Sequence, residues 1–403
     1  LIFDSLNGLI KLDGDNYKFT NLLLNNNDLN LLTSGTVNLK NLNKPNLDLT
    51  INVSIPDISK IKKYYPKNTD PDLLNWLDTS LLAGSIENSK ITIKGQLDKL
   101  FDKNTKSIVQ ISGSYNNANI EYATGYPEIE KANILFNLDS NILTLLAKDG
   151  TVADQNISTL EVISDLSETD LMINAHWITS GGTNNLIQAI NNSPLYEDTK
   201  EFTNQLITTG DASLDLKINL PIMNPDEIDF DAKYKLNDIN IQNPRIGLSQ
   251  IKKLNGILFI KPNFYELKNA SGSVFEMPIN VSVLGESNLT KINATGTINE
   301  KFFIDNLGSG WMNKVQGSAE WILKSNITEE SNSLSLETDL KGIEINGPQP
   351  LNKKQGEVKV LSIVKKPTKN KSTNYIIRLD NDVNGKIYMN KNGWSGQINI
   401  LSN

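Results

Sequence analysis

The sequence predicts a mainly β protein built on a long antiparallel sheet with one apolar surface. Apolar and polar residues alternate strictly in segments such as Gly210 to Pro221, GDASLDLKINLP, and a period of two indicates a strand with one dry and one wet face. Turn residues separate successive segments, as expected for strands that pair with their chain neighbours. No linker rich in Pro, Gly and Ser divides the chain, which favours one continuous architecture.

The alternation is clearest between residues 210 and 298. Asp229, Asp231, Lys233 and Lys235 occupy the wet positions of one such strand, so the intervening side chains point to the other face. We predict that the dry face is lined by Ala212, Leu214, Leu216, Ile218, Leu220, Ile228, Phe230, Ala232, Tyr234, Leu236, Ile279, Val281, Val283, Ile292, Ala294 and Ile298. The function of the protein depends on what covers this surface.

Strands open the chain, and the period then changes to that of a helix at three places. A short helical piece is predicted from residue 58, and a better helix runs to 83, with Asp70 as N-cap, Pro71 at its first position and Gly84 as its stop. Its apolar stripe comprises Leu73, Leu74, Leu77 and Leu81, beside Trp76. Further helices are predicted over about 183–207 and 302–312. We divide the chain into segments 1–209 and 210–403, within one continuous architecture.

Composition excludes several classes of protein. The chain has 403 residues, a net charge of −7 and a mean hydropathy of −0.32. Acidic and basic residues are mixed throughout without a basic stripe, so a nucleic-acid partner is not expected. The absence of cysteine excludes disulfides, thiol nucleophiles and thiolate metal sites. We interpret the abundance of Asn, Ile and Lys as a bias of genome composition.

The sequence contains neither an apolar window long enough to cross a bilayer nor an opening signal peptide. It begins at Leu1 without a methionine and ends inside a strand-like pattern. We therefore expect a fragment of a longer protein whose targeting segment lies upstream.

Three segments resemble one known family. Thr338 to Lys353 reads TDLKGIEINGPQPLNK and resembles the DLxG and PxPLxK signature of the YhdP branch of the AsmA-like proteins, relatives of TamB. The pattern WLxxxLLxG at Trp76 to Gly84 and the stretch from Ile178 to Leu195 are similar to the N-terminal half of the same family. One departure is Gly347, which stands where a leucine is expected before the proline.

The resemblance implies an elongated, curled antiparallel β-sheet that forms an apolar groove, with a few short helices capping or interrupting it. It also implies a non-enzymatic lipid conduit of the Gram-negative envelope that moves phospholipids between inner and outer membranes. Such a protein is periplasmic, tethered to the inner membrane by a segment outside this sequence, and supports the outer-membrane barrier. The implied partners are phospholipids, both membranes and other envelope proteins. The family offers no catalytic residues or cofactor to carry over.

Two other architectures fit parts of the pattern. A β-sandwich of an envelope scaffold shows the same alternation, and periodicity alone does not separate it from a groove. A polysaccharide-acting parallel β-helix is the enzymatic alternative, but it needs short repeats that the sequence lacks.

Candidate chemical sites do not form a pattern. His176 is the only histidine, so we expect a structural side chain there and no metal or cofactor site. The segment DNDVNG from Asp380 to Gly385 resembles the start of an EF-hand loop, but Lys391 stands where the closing Glu belongs. We interpret it as a hairpin turn. The lysines Lys365, Lys366, Lys369 and Lys371 surround Pro367 and are interpreted as a solvated loop, with lipid headgroup binding as the alternative.

Overall fold

Strands dominate the computed structural model, which describes residues 3–65, 71–100, 105–167, 170–204, 206–224, 227–242, 250–307, 310, 314–328, 331–367, 373–390 and 393–401. The chain forms two compact units, described separately here: Leu1–Asn204 with Ser213–Asp231, and Gln205–Ala212 with Ala232–Asn403. Every ladder in the described residues is antiparallel, so the predicted mainly β fold with few short helices is confirmed and a parallel β-helix is excluded.

The first unit pairs its strands almost entirely in chain order. Its strands are β1 (Ser5–Asp13), β2 (Asn16–Asn25), β3 (Asn30–Asn38), β4 (Asn46–Ile55), β5 (Leu81–Gln96), β6 (Ile108–Ile120), β7 (Ile129–Asp139), β8 (Ile142–Ala147), β9 (Thr151–Val152), β10 (Gln155–Asp165) and β11 (Met172–Gly182). Both β8 and the two-residue β9 lie between β7 and β10. Strands β12 (Ile207–Pro221) and β13 (Asp229–Gln242) follow, and each contributes residues to both units.

The second unit is a meander in which each strand from β13 to β18 pairs with the next, as does each strand from β21 to β23. Its further strands are β14 (Ile251–Lys261), β15 (Phe264–Val274), β16 (Met277–Glu286), β17 (Leu289–Asn299), β18 (Val315–Ile327), β19 (Asn332–Thr338), β20 (Ile343–Ile345), β21 (Leu361–Pro367), β22 (Thr373–Leu379), β23 (Val383–Asn390) and β24 (Gly393–Ile400). The short β20 pairs with β18, while β19 pairs with β21.

The helices are short, and all but one 3-10 turn lie within or overlap the three predicted places. They are a 3-10 helix at Ile58–Tyr64, α1 (Pro71–Ser80), α2 (Thr183–Asn191), α3 (Tyr196–Thr203) and α4 (Glu300–Leu307), and a second 3-10 turn covers Leu97–Lys99. None of the described helices is long and apolar enough to cross a membrane. The predicted N-cap Asp70 and part of the 302–312 segment lie outside the described residues.

Two details of the predicted N-terminal helix are wrong. The helix ends at Ser80, and Leu81 begins β5, so Gly84 is a strand residue with φ +119 rather than a helix stop. A Cβ at Gly84 would lie 2.6 Å from the ring of Tyr115, which explains why only glycine fits there. The helix is also less buried than its stripe suggests, because Leu73 is 49% exposed and Trp76 45% exposed.

Bulges interrupt the alternation at matching places in neighbouring strands. Asp238 in β13, Lys253 in β14 and Asn269 in β15 have φ values of 50, 52 and 50, the left-handed region in which bulged residues sit. Each of their backbone N–H groups donates a hydrogen bond to a side chain on the adjacent strand. Asp238 donates to Asn255 Oδ1 at 3.1 Å, Lys253 to Asn240 Oδ1 at 3.2 Å and Asn269 to Ser282 Oγ at 3.1 Å. In the first unit, Asn133 Oδ1 accepts from the backbone N–H of Asn117 and Asn119 Oδ1 from that of Lys131. Short polar side chains thus replace the ladder bonds that the bulges remove.

Candidate functional site

The ladder registers assign every described strand residue of the second unit to one of two faces. Residues directly opposite each other in an antiparallel pair share a face. One row runs from Tyr234 through Leu258, Leu267, Val283 and Ile292, and the row beside it contains Val281, Ala294, Leu323, Leu336, Ile363 and Ile377. These rows cross the strands and form a continuous apolar surface, named here the apolar face.

Nine of the residues predicted to line the sheet lie on this face in the second unit. They are Ala232, Tyr234, Leu236, Ile279, Val281, Val283, Ile292, Ala294 and Ile298, and all are buried or partly buried. Ala212 is also buried there, in a cluster with Leu236 and Ile239. The intervening Asn280, Lys291 and Asn293 are exposed on the opposite, polar face.

Five further predicted residues belong to the first unit. Leu214, Leu216, Ile218, Leu220 and Phe230 are partly buried. The neighbouring Asp215 carboxylate lies 2.9 Å from His176 Nε2, and His176 pairs with Glu161 across the ladder, so Asp215 marks the polar side of β12. Ile228, in contrast, precedes β13 and is 38% exposed.

The first unit has an apolar face of its own. Its rows include Ile51, Ile91, Ile111 and Leu138 in one line and Ile86, Tyr115, Ile134, Ala147, Leu160 and Trp177 in another. The sequence prediction singled out no lining residues in β4 to β11. Bulges near Tyr115 and Ala118 break the period of two there, which hides the common face of these strands.

Side chains in the middle of the apolar face of the second unit are not fully covered in the described residues. Central side chains such as Leu258, Val283 and Ile292 remain partly exposed, whereas the facing sheets of a sandwich bury such residues fully. The faces therefore offer apolar surface that is accessible to a ligand.

Aromatic rings lie over glycines and flatten these faces. A Cβ on Gly285 would lie 2.2 Å from Cζ of Tyr265, and one on Gly296 would lie 2.6 Å from Cζ2 of Trp321. In the first unit the ring of Phe136 covers Gly113 in the same way, at 2.6 Å. Because the glycine leaves room, each ring can lie across its neighbouring strand and shield the backbone.

One margin of the apolar face in the second unit is covered. Phe303 of α4, together with Leu340, Ile343, Ile345 and Leu351 of the covering loop (residues 339–353), packs on Ile298, Val315 and Ala319. The loop contains the TDLKGIEINGPQPLNK motif, and the hydroxyl of Thr338 accepts the backbone N–H of Leu340. Leu351 and Ile345 lie 3.6 and 3.7 Å from where a Gly347 Cβ would be, so these two side chains occupy the region around the glycine.

A buried lysine holds the covering loop in place. Lys353 is 1% exposed, and its Nζ donates to the carbonyl oxygens of Ile343 at 2.8 Å and Lys354 at 3.0 Å. Removal of the ammonium from water lowers the pKa of Lys353 below its ordinary value of 10.5. This cost is offset by two hydrogen bonds from a charged donor.

Replacing Lys353 with methionine should lower the free energy of unfolding by about 1–3 kcal/mol, because two buried carbonyl oxygens lose their donor. Since its folded pKa is lowered, the unfolded chain binds more protons just below pH 10.5, and the wild-type advantage should grow as the pH approaches that value. Urea unfolding at several pH values measures both effects. Lys354→Met, at an exposed side chain, is the control, and equal stability of the two variants would contradict this role of Lys353.

The other candidate groups are in structural contacts. The carboxylate of Asp380 accepts the backbone N–H of Val360, and Asp382 pairs with Lys359 at 2.6 Å. The DNDVNG segment supplies the turn between β22 and β23, as predicted, but the turn covers only residues 380–382, and Val383 already begins β23. In the described part of the chain, no group of three or more His, Asp and Glu side chains is arranged to hold a metal.

The second unit carries a depression of about 1060 Å³. Its lining includes Asn280, Thr295, Glu320 and Glu337 of the polar face, together with Gly296, Ala319 and Trp321, which share the face of the apolar rows. Because polar and charged side chains form much of this lining, the apolar face is the better candidate surface for an apolar ligand.

These features define a protein of antiparallel sheets whose apolar faces remain partly open. A family model described as YhdP protein matches residues 1–402, so the chain belongs to the YhdP family. No curated protein matches the chain. No solved structure matches it either.

Proposed function

We propose that this protein is a non-enzymatic lipid conduit, which binds the acyl chains of phospholipids on its apolar faces and moves them between the inner and outer membranes. The observation that carries the proposal is the continuity of apolar rows across successive strands whose side chains stay accessible. Membership of the YhdP family supports an envelope lipid-transport role. Periplasmic location, a tether to the inner membrane and contacts with other envelope proteins are parts of the same proposal.

The free energy available to an acyl chain on such a face is substantial. Burial is worth about 0.8 kcal/mol per CH₂ group, so half-covering a chain of about 16 carbons contributes roughly 6 kcal/mol. A chain that lies along a row crosses a new strand about every 4.8 Å and meets similar apolar side chains at each step. Because no step holds the chain by a specific bond, the chain can slide. The rings that lie flat over Gly285 and Gly296 keep this path free of protruding side chains.

The alternative function is that of an envelope scaffold whose sheets pack against one another. Sheets packed face to face bury their facing side chains, but central apolar residues such as Val283 and Ile292 remain partly exposed. These observations favour a face that receives a ligand.

Photo-crosslinking in cells tests the proposal with pairs of adjacent residues. Probes at Ile292 and Leu336 on the apolar face should capture phospholipid, because these positions would contact the acyl chain. Probes at Asn293 and Glu337, one residue along on the exposed polar face, should capture little. Mass spectrometry of the crosslinked adducts identifies the lipid. Equal capture by both pairs would indicate unspecific membrane contact, and capture by neither would favour the scaffold.

A further inference from the structure

The apolar face of the second unit carries a single charged side chain among its described strands. Lys365 of β21 lies opposite Leu334 of β19 on one side and Tyr375 of β22 on the other. Leu334 in turn lies opposite Ser325, which lies opposite Ile292, so Lys365 shares the face of the central apolar row. The remaining lysines, arginine and carboxylates of these described strands lie on the polar face or at bulges that point to it.

This placement corrects the interpretation of the lysines as a solvated loop. Lys365 and Lys366 belong to β21, while Lys369 and Lys371 lie outside the described residues. Adjacent strand residues point to opposite faces, so Lys366 lies on the polar face opposite Asn374 and is exposed. The two neighbouring lysines therefore differ in surroundings but not in charge.

The surroundings of Lys365 suit the boundary between an acyl chain and its headgroup. The side chain is partly buried, and its ladder neighbours are Leu334 and Tyr375, neither of which is a carboxylate. An ammonium group on an apolar surface is costly unless an anion pairs with it or it reaches water. Lys365 stands two residues from Pro367, where β21 ends, so its aliphatic stem can lie on the apolar face while Nζ reaches the margin.

We propose that Lys365 binds the phosphate of a phospholipid headgroup whose acyl chains lie on the rows that contain Leu334, Leu336 and Ile363. The proposal rests on the proposed function, since it places the head of the same lipid. The phosphate is anionic and accepts hydrogen bonds from an ammonium group, and Tyr375, the ladder partner of Lys365 on the same face, carries a hydroxyl that can also donate. The apolar surface on both sides of Lys365 distinguishes this position from an ordinary surface lysine, which attracts anions without holding their acyl chains.

The test compares Lys365→Gln with Lys366→Gln in the full 403-residue chain. Binding of short-chain phosphatidylglycerol, of diacylglycerol with the same acyl chains and of inorganic phosphate is measured by calorimetry, with circular dichroism as the check on folding. Lys365→Gln should weaken phosphatidylglycerol binding about tenfold and leave diacylglycerol binding within twofold, because only the first ligand has a phosphate. Lys366→Gln should change neither affinity by more than twofold, and Lys365→Arg should retain most of the phosphatidylglycerol affinity.

The other possible outcomes distinguish failure of the headgroup contact from failure of the proposed lipid conduit. Unchanged phosphatidylglycerol affinity in Lys365→Gln, while both lipids still bind, would overturn the headgroup contact and leave the lipid conduit standing. Equal losses in the Lys365 and Lys366 variants would indicate unspecific charge attraction and also overturn it. Tight binding of inorganic phosphate that depends on Lys365 would indicate a site for free phosphate instead. Binding of neither lipid by the wild-type protein would reject the proposed function itself.

Discussion

Aspartate at both Val281 and Ile292 should weaken phospholipid binding at least tenfold while the protein remains folded. The two side chains belong to adjacent rows of the apolar face, since Val283 lies opposite Ile292 and Val281 lies opposite Ala294. An acyl chain on these rows would bury two unpaired carboxylates, and such burial costs about 1–3 kcal/mol for a neutral polar group and more for a charged one. Without lipid, the carboxylates stay hydrated because both positions are partly exposed.

The matched control is aspartate at Asn280 and Asn293. Both residues are exposed on the polar face, one position from the test residues, so the control adds the same charge at the same place along the strands. Native mass spectrometry for bound phospholipid and thermal melts followed by circular dichroism provide the two measurements. Unfolding of the Val281 and Ile292 variant alone would mean that these residues lie in a packed core, as in a sandwich. Loss of lipid from both variants would mean that net charge, and not the apolar face, controls binding.

A large effect on stability is expected at Gly285. Replacement with alanine should lower the free energy of unfolding by about 1–3 kcal/mol, because the new Cβ would lie 2.2 Å from Cζ of Tyr265. The ring of Tyr265 cannot simply rotate away, since its hydroxyl is hydrogen-bonded to the hydroxyl of Thr290, a buried residue of β17. Chemical denaturation measures the change.

Gly385→Ala provides a comparison on the same face. The nearest side-chain atom there, Cγ1 of Ile398, lies 3.5 Å from the new Cβ, an ordinary contact, so we expect little change in stability. Tyr265→Leu should relieve the clash in a Gly285→Ala background, since it removes the rigid ring. Equal stability of the two alanine variants would show that the ring over Gly285 adapts without cost.

The period of two predicts the faces of individual strands well and their common surface less well. Alternation placed Tyr234, Val281 and Ile292 on one side, and the ladders bring these three to the same face because hairpin pairing preserves the side of each residue. The bulges could not be predicted, because an extra residue such as Asp238 is indistinguishable in sequence from a break in the pattern. Many asparagines that look like compositional bias, Asn255 among them, accept the backbone N–H of a bulge on the next strand.

Pairing across strands also explains why the role of Lys365 cannot be read from its neighbours in sequence. A run of lysines around a proline is typical of a solvated loop, and only the register with Leu334 and Tyr375 assigns Lys365 to the apolar face. The position of the helix end at Ser80 was missed for a related reason. Leu81 continues the helical spacing of apolar residues, but it pairs with Ile120 as a strand residue. Tertiary pairing outweighs local periodicity at such boundaries.

The pairing of each strand with its neighbour in the chain has a consequence for folding. In the second unit, each strand from β13 to β18 pairs with the next strand along the chain, so these ladders join segments that are near in sequence. Short loops cost little entropy to close, and proteins rich in local contacts fold faster than those that must join distant segments. Such a sheet can nucleate at any hairpin and grow by one strand at a time, as repeat proteins do. Its stability then accumulates along the chain, and loss of a terminal hairpin would leave the remaining hairpins able to fold.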